Sequence, residues 1–159
     1  MALGEKLFEE TGTTTNFKIT KVHPIEGITM EISFTSEIKG IGKFPSGKNI
    51  GSGTATQYPH GVVDAVYQGA FMIIDDGPSL QQPQEIQDND NTHSAQQYFW
   101  WAHEKSKVVE NAAKTKGLTM VSGFTNSKKL AWMNNLIMAL DMEVDYASST
   151  FKAIAYEWK

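Results

Sequence analysis

From Ile28 to Phe44 the chain reads ITMEISFTSEIKGIGKF, so that Ile28, Met30, Ile32, Phe34 and Ile38 alternate with Thr29, Glu31, Ser33, Thr35, Glu37 and Lys39. A period of two is that of a strand with one buried face. At roughly 3.3 Å per residue the whole run would exceed about 50 Å if straight, more than one strand of a small domain spans. It is therefore expected to bend, and Gly40 and Gly42 are the expected places. A strand this long with a single apolar face requires a sheet that is closed on itself or packed against a second one.

The rest of the chain supplies further strands. Phe17 to Ile25 alternates through Phe17, Ile19, Lys21 and His23 and stops at Pro24. Ile50 to Tyr58 is rich in Gly and Thr, as suits a curving strand. Val62 to Asp75 is rich in Val, Tyr, Phe and Ile and ends at Asp76-Gly77-Pro78. Gln96 to Glu104, QQYFWWAHE, is read as a strand to about residue 104, followed by a loop or short helix through Lys116. Leu118 to Phe124 forms another strand, residues 128–134 a short helical turn, and the segments 136–144 and 151–158 a closing hairpin. Residues 1–16, ending in Thr11-Gly-Thr-Thr-Thr-Asn16, read as a flexible lead-in, and residues 81–93 as a mobile polar loop. The expectation is a single all-β domain over 1–159: an antiparallel meander of about eight strands with little helix, closed into a barrel. Its buried positions are expected to include Met30, Ile32, Phe34, Ile38, Val66, Met72, Leu140, Met142, Ile154 and Tyr156.

Composition excludes several functions. The chain of 159 residues is long enough for one core, and its 40% apolar content is that of an ordinary globular protein. It has no cysteine, so disulfides, thiolate nucleophiles and Cys-ligated metals are ruled out. All 14 of its basic residues are lysine. Without a guanidinium fork, and with a net charge of −4, nucleic acid is not an expected partner. The cluster Lys105, Lys107, Lys114 and Lys116 is interrupted by Glu104 and Glu110 and reads as a solvated face. No apolar run is long enough for a membrane span, and the start MALGEKLFEETG lacks the pattern of a signal peptide. A cytoplasmic location is the expectation.

The stretch Gly61 to Gly77, in which YQGAFMIIDDG follows YPHGVVDA, resembles small uncharacterised bacterial proteins, as do FTNSKKLAWMNN and the terminal AYEW. Their fold is similar to the eight-stranded allene-oxide-cyclase barrel, a relative in shape of the lipocalins. The resemblance covers most of the chain after residue 17 and implies that shape. It implies no activity and supplies no catalytic residue.

Several motifs fall short of the chemistry they suggest. Residues 42–49, GKFPSGKN, complete GxxxxGK but place Asn49 where a phosphate-binding loop needs Ser or Thr for magnesium, and a helix-poor stretch follows. Asp88-Asn-Asp-Asn-Thr92 starts like a calcium loop, but His93 and Phe99 stand where Gly and Glu are required. His23, His60, His93 and His103 have no metal-ligand spacing. Neither a metal nor a cofactor is expected.

The remaining candidates lie on the aromatic stretch and the last strand. Alternation must send one of His103 and Glu104 into the barrel and the other out. The inward one is a candidate acid or base, and Glu157 is another. Trp100, Trp101, Trp132 and Tyr156 are candidates to line a ligand cavity, although packing alone accounts for aromatic residues in a core. Three functions follow in order: a barrel that binds a small apolar or aromatic molecule, a barrel enzyme of isomerase, cyclase or hydrolase type, and an interaction protein with a filled interior that forms homo-oligomers.

Overall fold

The period-two segments pair into one ring. The structure is a computed structural model in which residues 3–75, 96–109 and 113–159 are described. Its strands are β1 (Leu3–His23), β2 (Gly27–Gly40), β3 (Ser46–Gln57), β4 (Val62–Asp75), β5 (Gln96–Val109), β6 (Lys114–Thr125), β7 (Met138–Asp145) and β8 (Thr150–Trp158). Each pairs antiparallel with the next, and β8 pairs with β1, so the meander is a closed barrel. The pairing is staggered. Followed from partner to partner around the ring, the row that leaves β2 at Ile28 returns to it at Ile38. Such stagger tilts the strands and lets eight of them enclose a space that side chains can fill.

Some expectations are corrected in detail. Residues 1–16 are not a flexible lead-in: from Leu3 onward they belong to β1, with Phe8 to Thr13 held between β2 and β8. The polar run of threonines concealed a strand whose neighbours lie far away in sequence. The apolar run from Ile28 does not bend within a strand; β2 ends at Gly40, and the chain turns at Gly42, whose φ is 63°. Of the segment 105–116, residues 105–109 and 114–116 are strand and not loop or helix. β5 continues to Val109 because Ser106 keeps the inward phase while Lys105 and Lys107 face water, and β6 begins at Lys114. The helical turn expected at 128–134 is a short 3-10 helix at Ala131–Asn135. The loop expected at 81–93 lies outside the described residues.

The core is the inner surface of the ring. Phe8, Phe34, Ile38, Phe71, Tyr98, Trp100, Leu140, Phe151 and Ala155 form one buried cluster, and Met30, Ile32, Ala55, Val63 and Ala65 a smaller second one. Phe44, Leu130, Met133 and Leu136, from the β2–β3 turn and the segment around the 3-10 helix, pack onto the first cluster. Val66 and Met72 do not face inward as expected. On β4 the buried phase is Val63, Ala65, Phe71 and Ile73, which leaves Val66 57% exposed. Ile154 and Tyr156 share the outward phase of β8 and are half-buried, while Phe151, Ala153 and Ala155 point inward.

Candidate functional site

Two neighbouring register rows build the interior site. Phe34, Gly51, Gly69 and Trp100 are successive partners across β2 to β5. A Cβ on Gly51 would lie 2.7 Å from Trp100 Cη2 and one on Gly69 2.5 Å from Trp100 Cζ2, so the two glycines leave the space that the indole fills. In the adjacent row Ser36 pairs with Asn49. The Trp100 Nε1–H donates to Asn49 Oδ1 at 2.7 Å. An indole is a donor only, so the amide oxygen must face it and the amide nitrogen must point the other way. There Asn49 Nδ2 donates to Glu10 Oε2 at 3.2 Å, and Ser36 Oγ donates to the same oxygen.

Glu10 is thus a carboxyl group inside the barrel, 4% exposed. Burial pushes its pKa above the usual carboxylate range, against the opposing effect of the Ser36 and Asn49 hydrogen bonds. It lines a cavity of about 50 Å³ together with Asn49, Trp100, Phe34, Tyr67 and Tyr98. Apart from Thr119, whose hydroxyl donates to Met142 Sδ at 3.2 Å, the other walls are apolar, among them the flexible side chains of Met138 and Met142, and no lysine lines it. The hydroxyl of Tyr98 is buried and has no hydrogen-bond partner among the described residues. Burial raises the pKa of this phenol to about 12, so it keeps its proton.

A second buried carboxyl lies behind Tyr67. Glu104 is 3% exposed, on the inward phase of β5. Ser106 Oγ donates to its Oε2 at 2.7 Å, and the Tyr67 hydroxyl is a further hydrogen-bonding neighbour. Burial raises the pKa of Glu104, and the Asp64 charge adds to the rise. Burial also raises Tyr67 and Tyr146, each with a contribution from Glu104. Tyr67 therefore touches both the cavity and the second acid.

The candidates named from sequence separate between the inside and the outside of the barrel. Glu104 and Trp100 are inside. His103 faces out and meets Asp64 at 2.8 Å. Trp101 is 52% exposed and stacks on Phe124, with ring centroids 6.0 Å apart. Trp132 is half-buried against Phe44, with Lys43 Nζ 4.2 Å from its ring, and does not line the cavity. Tyr156 is on the outer face near Leu3 and Leu118. Glu157 has the inward phase opposite Met138, yet it does not reach the cavity. Glu10, Ser36, Asn49 and Tyr98 were missed. Glu10 lay in the supposed lead-in and Asn49 at the end of the incomplete phosphate-loop motif, although Phe8, Glu10, Gly12 and Thr14 already carry the phase of β1.

Outside, Ile50, Ala70, Phe99 and Phe124 form one register row across β3 to β6, with Trp101 beside it. Among the described residues no group of three or more His, Asp or Glu is placed to hold a metal ion, and no helix is long and apolar enough to cross a membrane.

No protein-family model matches the sequence, and neither does any curated protein. Solved structures do match its shape. A protein of unknown function from Clostridium acetobutylicum has a TM-score of 0.75 at 15% identity, with all of both chains covered. A β-barrel-like protein from Acinetobacter baumannii has a TM-score of 0.72 at 10% identity, covering 99% of this chain and 96% of that one. A conserved protein of unknown function from Rhodopseudomonas palustris has a TM-score of 0.67 at 12% identity, covering 99% of both chains. At these identities the likeness is one of fold: the chain is an all-β barrel of the kind found in small bacterial proteins whose function is unknown.

Proposed function

We propose that the barrel binds a compact, mainly apolar small molecule in its interior, beside Glu10, Asn49 and Trp100. The observation that carries this reading is the cavity itself, an apolar space onto which a few oriented polar groups converge. Its free volume of about 50 Å³ holds only a few water molecules, well below the roughly 300 Å³ at which small-molecule pockets begin. Binding therefore requires the lining to give way, and Met138 and Met142, unbranched and adaptable, are the side chains suited to do so. As part of this reading the chain is an allene-oxide-cyclase-like barrel, lipocalin-like in shape, that works in a bacterial cytoplasm. The closed eight-stranded meander and the bacterial source of its structural neighbours support that.

Native mass spectrometry of the protein purified from its expression host tests the proposal, together with quenching of tryptophan fluorescence by a library of small apolar and aromatic compounds. A bound or quenching compound whose effect is lost in Trp100→Phe is the expected result. No binding by any compound, with an interior that stays closed to xenon under pressure, would remove the proposal.

The two buried carboxyls favour a second reading, an acid-assisted isomerase or cyclase. A neutral Glu10 can donate a proton to a molecule in the cavity, and Tyr67 links that cavity to Glu104. The outer row of Ile50, Phe99, Trp101 and Phe124 favours a contact role that is compatible with both, namely self-association.

A further inference from the structure

The hydrogen bonds inside the barrel leave donors, not acceptors, facing the cavity. Both bonds that Glu10 takes from described residues enter at Oε2, from Ser36 and Asn49. A neutral carboxyl must carry its proton on one oxygen, and Oε2 already has two donors pointed at it. Oε1–H is then the group that remains, on a residue that lines the cavity. The amide of Asn49 is fully committed in direction by Trp100 and Glu10. Tyr98, only 2% exposed and lining the same cavity, holds a hydroxyl with no partner among the described residues. An unmatched buried hydroxyl is destabilising, so the site gains from whatever supplies the missing acceptor.

We propose that the interior ligand is a neutral, compact molecule bearing a carbonyl-type oxygen, which accepts from Glu10 Oε1–H and leaves its hydrocarbon body against Phe34, Tyr67 and Trp100. The inference rests on the interior-binding reading above and narrows it to a chemical class. Anionic head groups are excluded by the absence of any lysine in the lining, because an unpaired charge in an apolar cavity is strongly unfavourable. Pure hydrocarbons would fill the space but leave the Tyr98 hydroxyl unmatched. A cationic amine would need Glu10 ionised, and a buried ion pair recovers its desolvation cost only with further hydrogen bonds that this wall does not offer.

Three probes of one shape separate these cases: cyclopentanone, cyclopentane and cyclopentylamine, titrated into the full chain at neutral pH and followed by tryptophan fluorescence and ligand-observed NMR. The expected order is ketone first, at least about tenfold tighter than the hydrocarbon, a difference of ~1.4 kcal/mol. Tyr98→Phe should weaken the ketone several-fold and leave cyclopentane unchanged. Glu10→Leu should abolish the preference for the ketone. Glu10→Gln, which keeps the shape and offers an amide N–H, should retain it, and this variant decides the matter if the leucine variant does not fold. Equal binding of ketone and hydrocarbon overturns the inference while leaving an interior binding site in place. Tighter binding of the amine overturns it as well. Failure of all three probes to bind counts against the interior site itself.

Discussion

Phe34 shows how one side chain sets the interior. Its ring lies 5.7 Å from Tyr67 and 5.3 Å from Phe151, both edge-on, and 6.0 Å from Trp100 in a stacked arrangement. Phe34→Ala would leave a cavity in the middle of the barrel and should cost ~3–5 kcal/mol in denaturant unfolding. A loss under about 1 kcal/mol would mean that neighbouring rings close the gap. The two buried glutamates make a prediction of opposite sign. Each has a folded-state pKa above its ordinary value of 4.5, so folding takes up protons wherever the unfolded carboxyl has already ionised. Their contribution is fully present below that value and is lost as pH rises from it through the folded pKa, at about 1.4 kcal/mol per pH unit for each group. Glu10→Gln and Glu104→Gln should each flatten this slope and raise stability at neutral pH. Thermal melts across the range check it, and an unchanged slope in both variants would show that neither carboxyl is neutral in the folded protein.

At the level of the strands, β2 was legible and β1 only in its second half, where Phe17 and Ile19 alternate, for a physical reason. Ile28 to Ile38 carries an apolar alternation interrupted only at Ser36, because one face of β2 meets the core and the other meets water. On the first half of β1 only Leu7, Phe8 and Glu10 are buried, and one of those is a carboxylic acid, so there the pattern that marks a strand is absent although the strand is present. The candidate site suffered in the same way. The phase of β5 could place Trp100 and Glu104 on one face and Trp101 and His103 on the other. Which face was inside, and that Glu10 and Asn49 would come to meet Trp100, depended on pairings between residues 39 and 51 positions apart. β1 also changes character along its length. Its pairing with β8 stops at Thr13, while pairing with β2 continues to His23, so residues 15–23 form a free edge among the described residues. Register shifts near Thr14/Asn16 and Ile19/Lys21, with Lys18 and Lys21 exposed, blunt that edge against further strand addition. Hydrogen exchange should therefore divide β1 in two, with uniform protection from Glu9 to Thr13 and rapid exchange at alternate amides from Thr15 to His23. Uniform protection across both halves in dilute solution would reveal another strand on that edge.

The molecule as a whole is closed by its two ends, and this determines how it must fold. Seven of the eight pairings join strands that follow one another in sequence, and they can form from the more local contacts. The eighth joins β1 to β8 and sets Glu9 opposite Ile154. It fixes the strand that carries Glu10, so the interior site is incomplete until the ring is shut. Closing so long a loop has an entropic cost that only the last pairing and the core inside it repay. Folding should accordingly be slow for the chain length, in the millisecond-to-second range of barrels with distant pairings, and the burial of Trp100 should follow closure rather than precede it. Stopped-flow fluorescence tests this in the Trp101→Phe, Trp132→Phe, Trp158→Phe background, where Trp100 is the only remaining reporter. Glu9→Pro would remove a backbone donor within the segment held between β2 and β8, and it should slow the Trp100 phase while leaving earlier gain of β-sheet circular dichroism intact. If the Trp100 signal instead developed at full speed in that variant, the core would be forming in an open sheet, and the ends would be joining a structure already made.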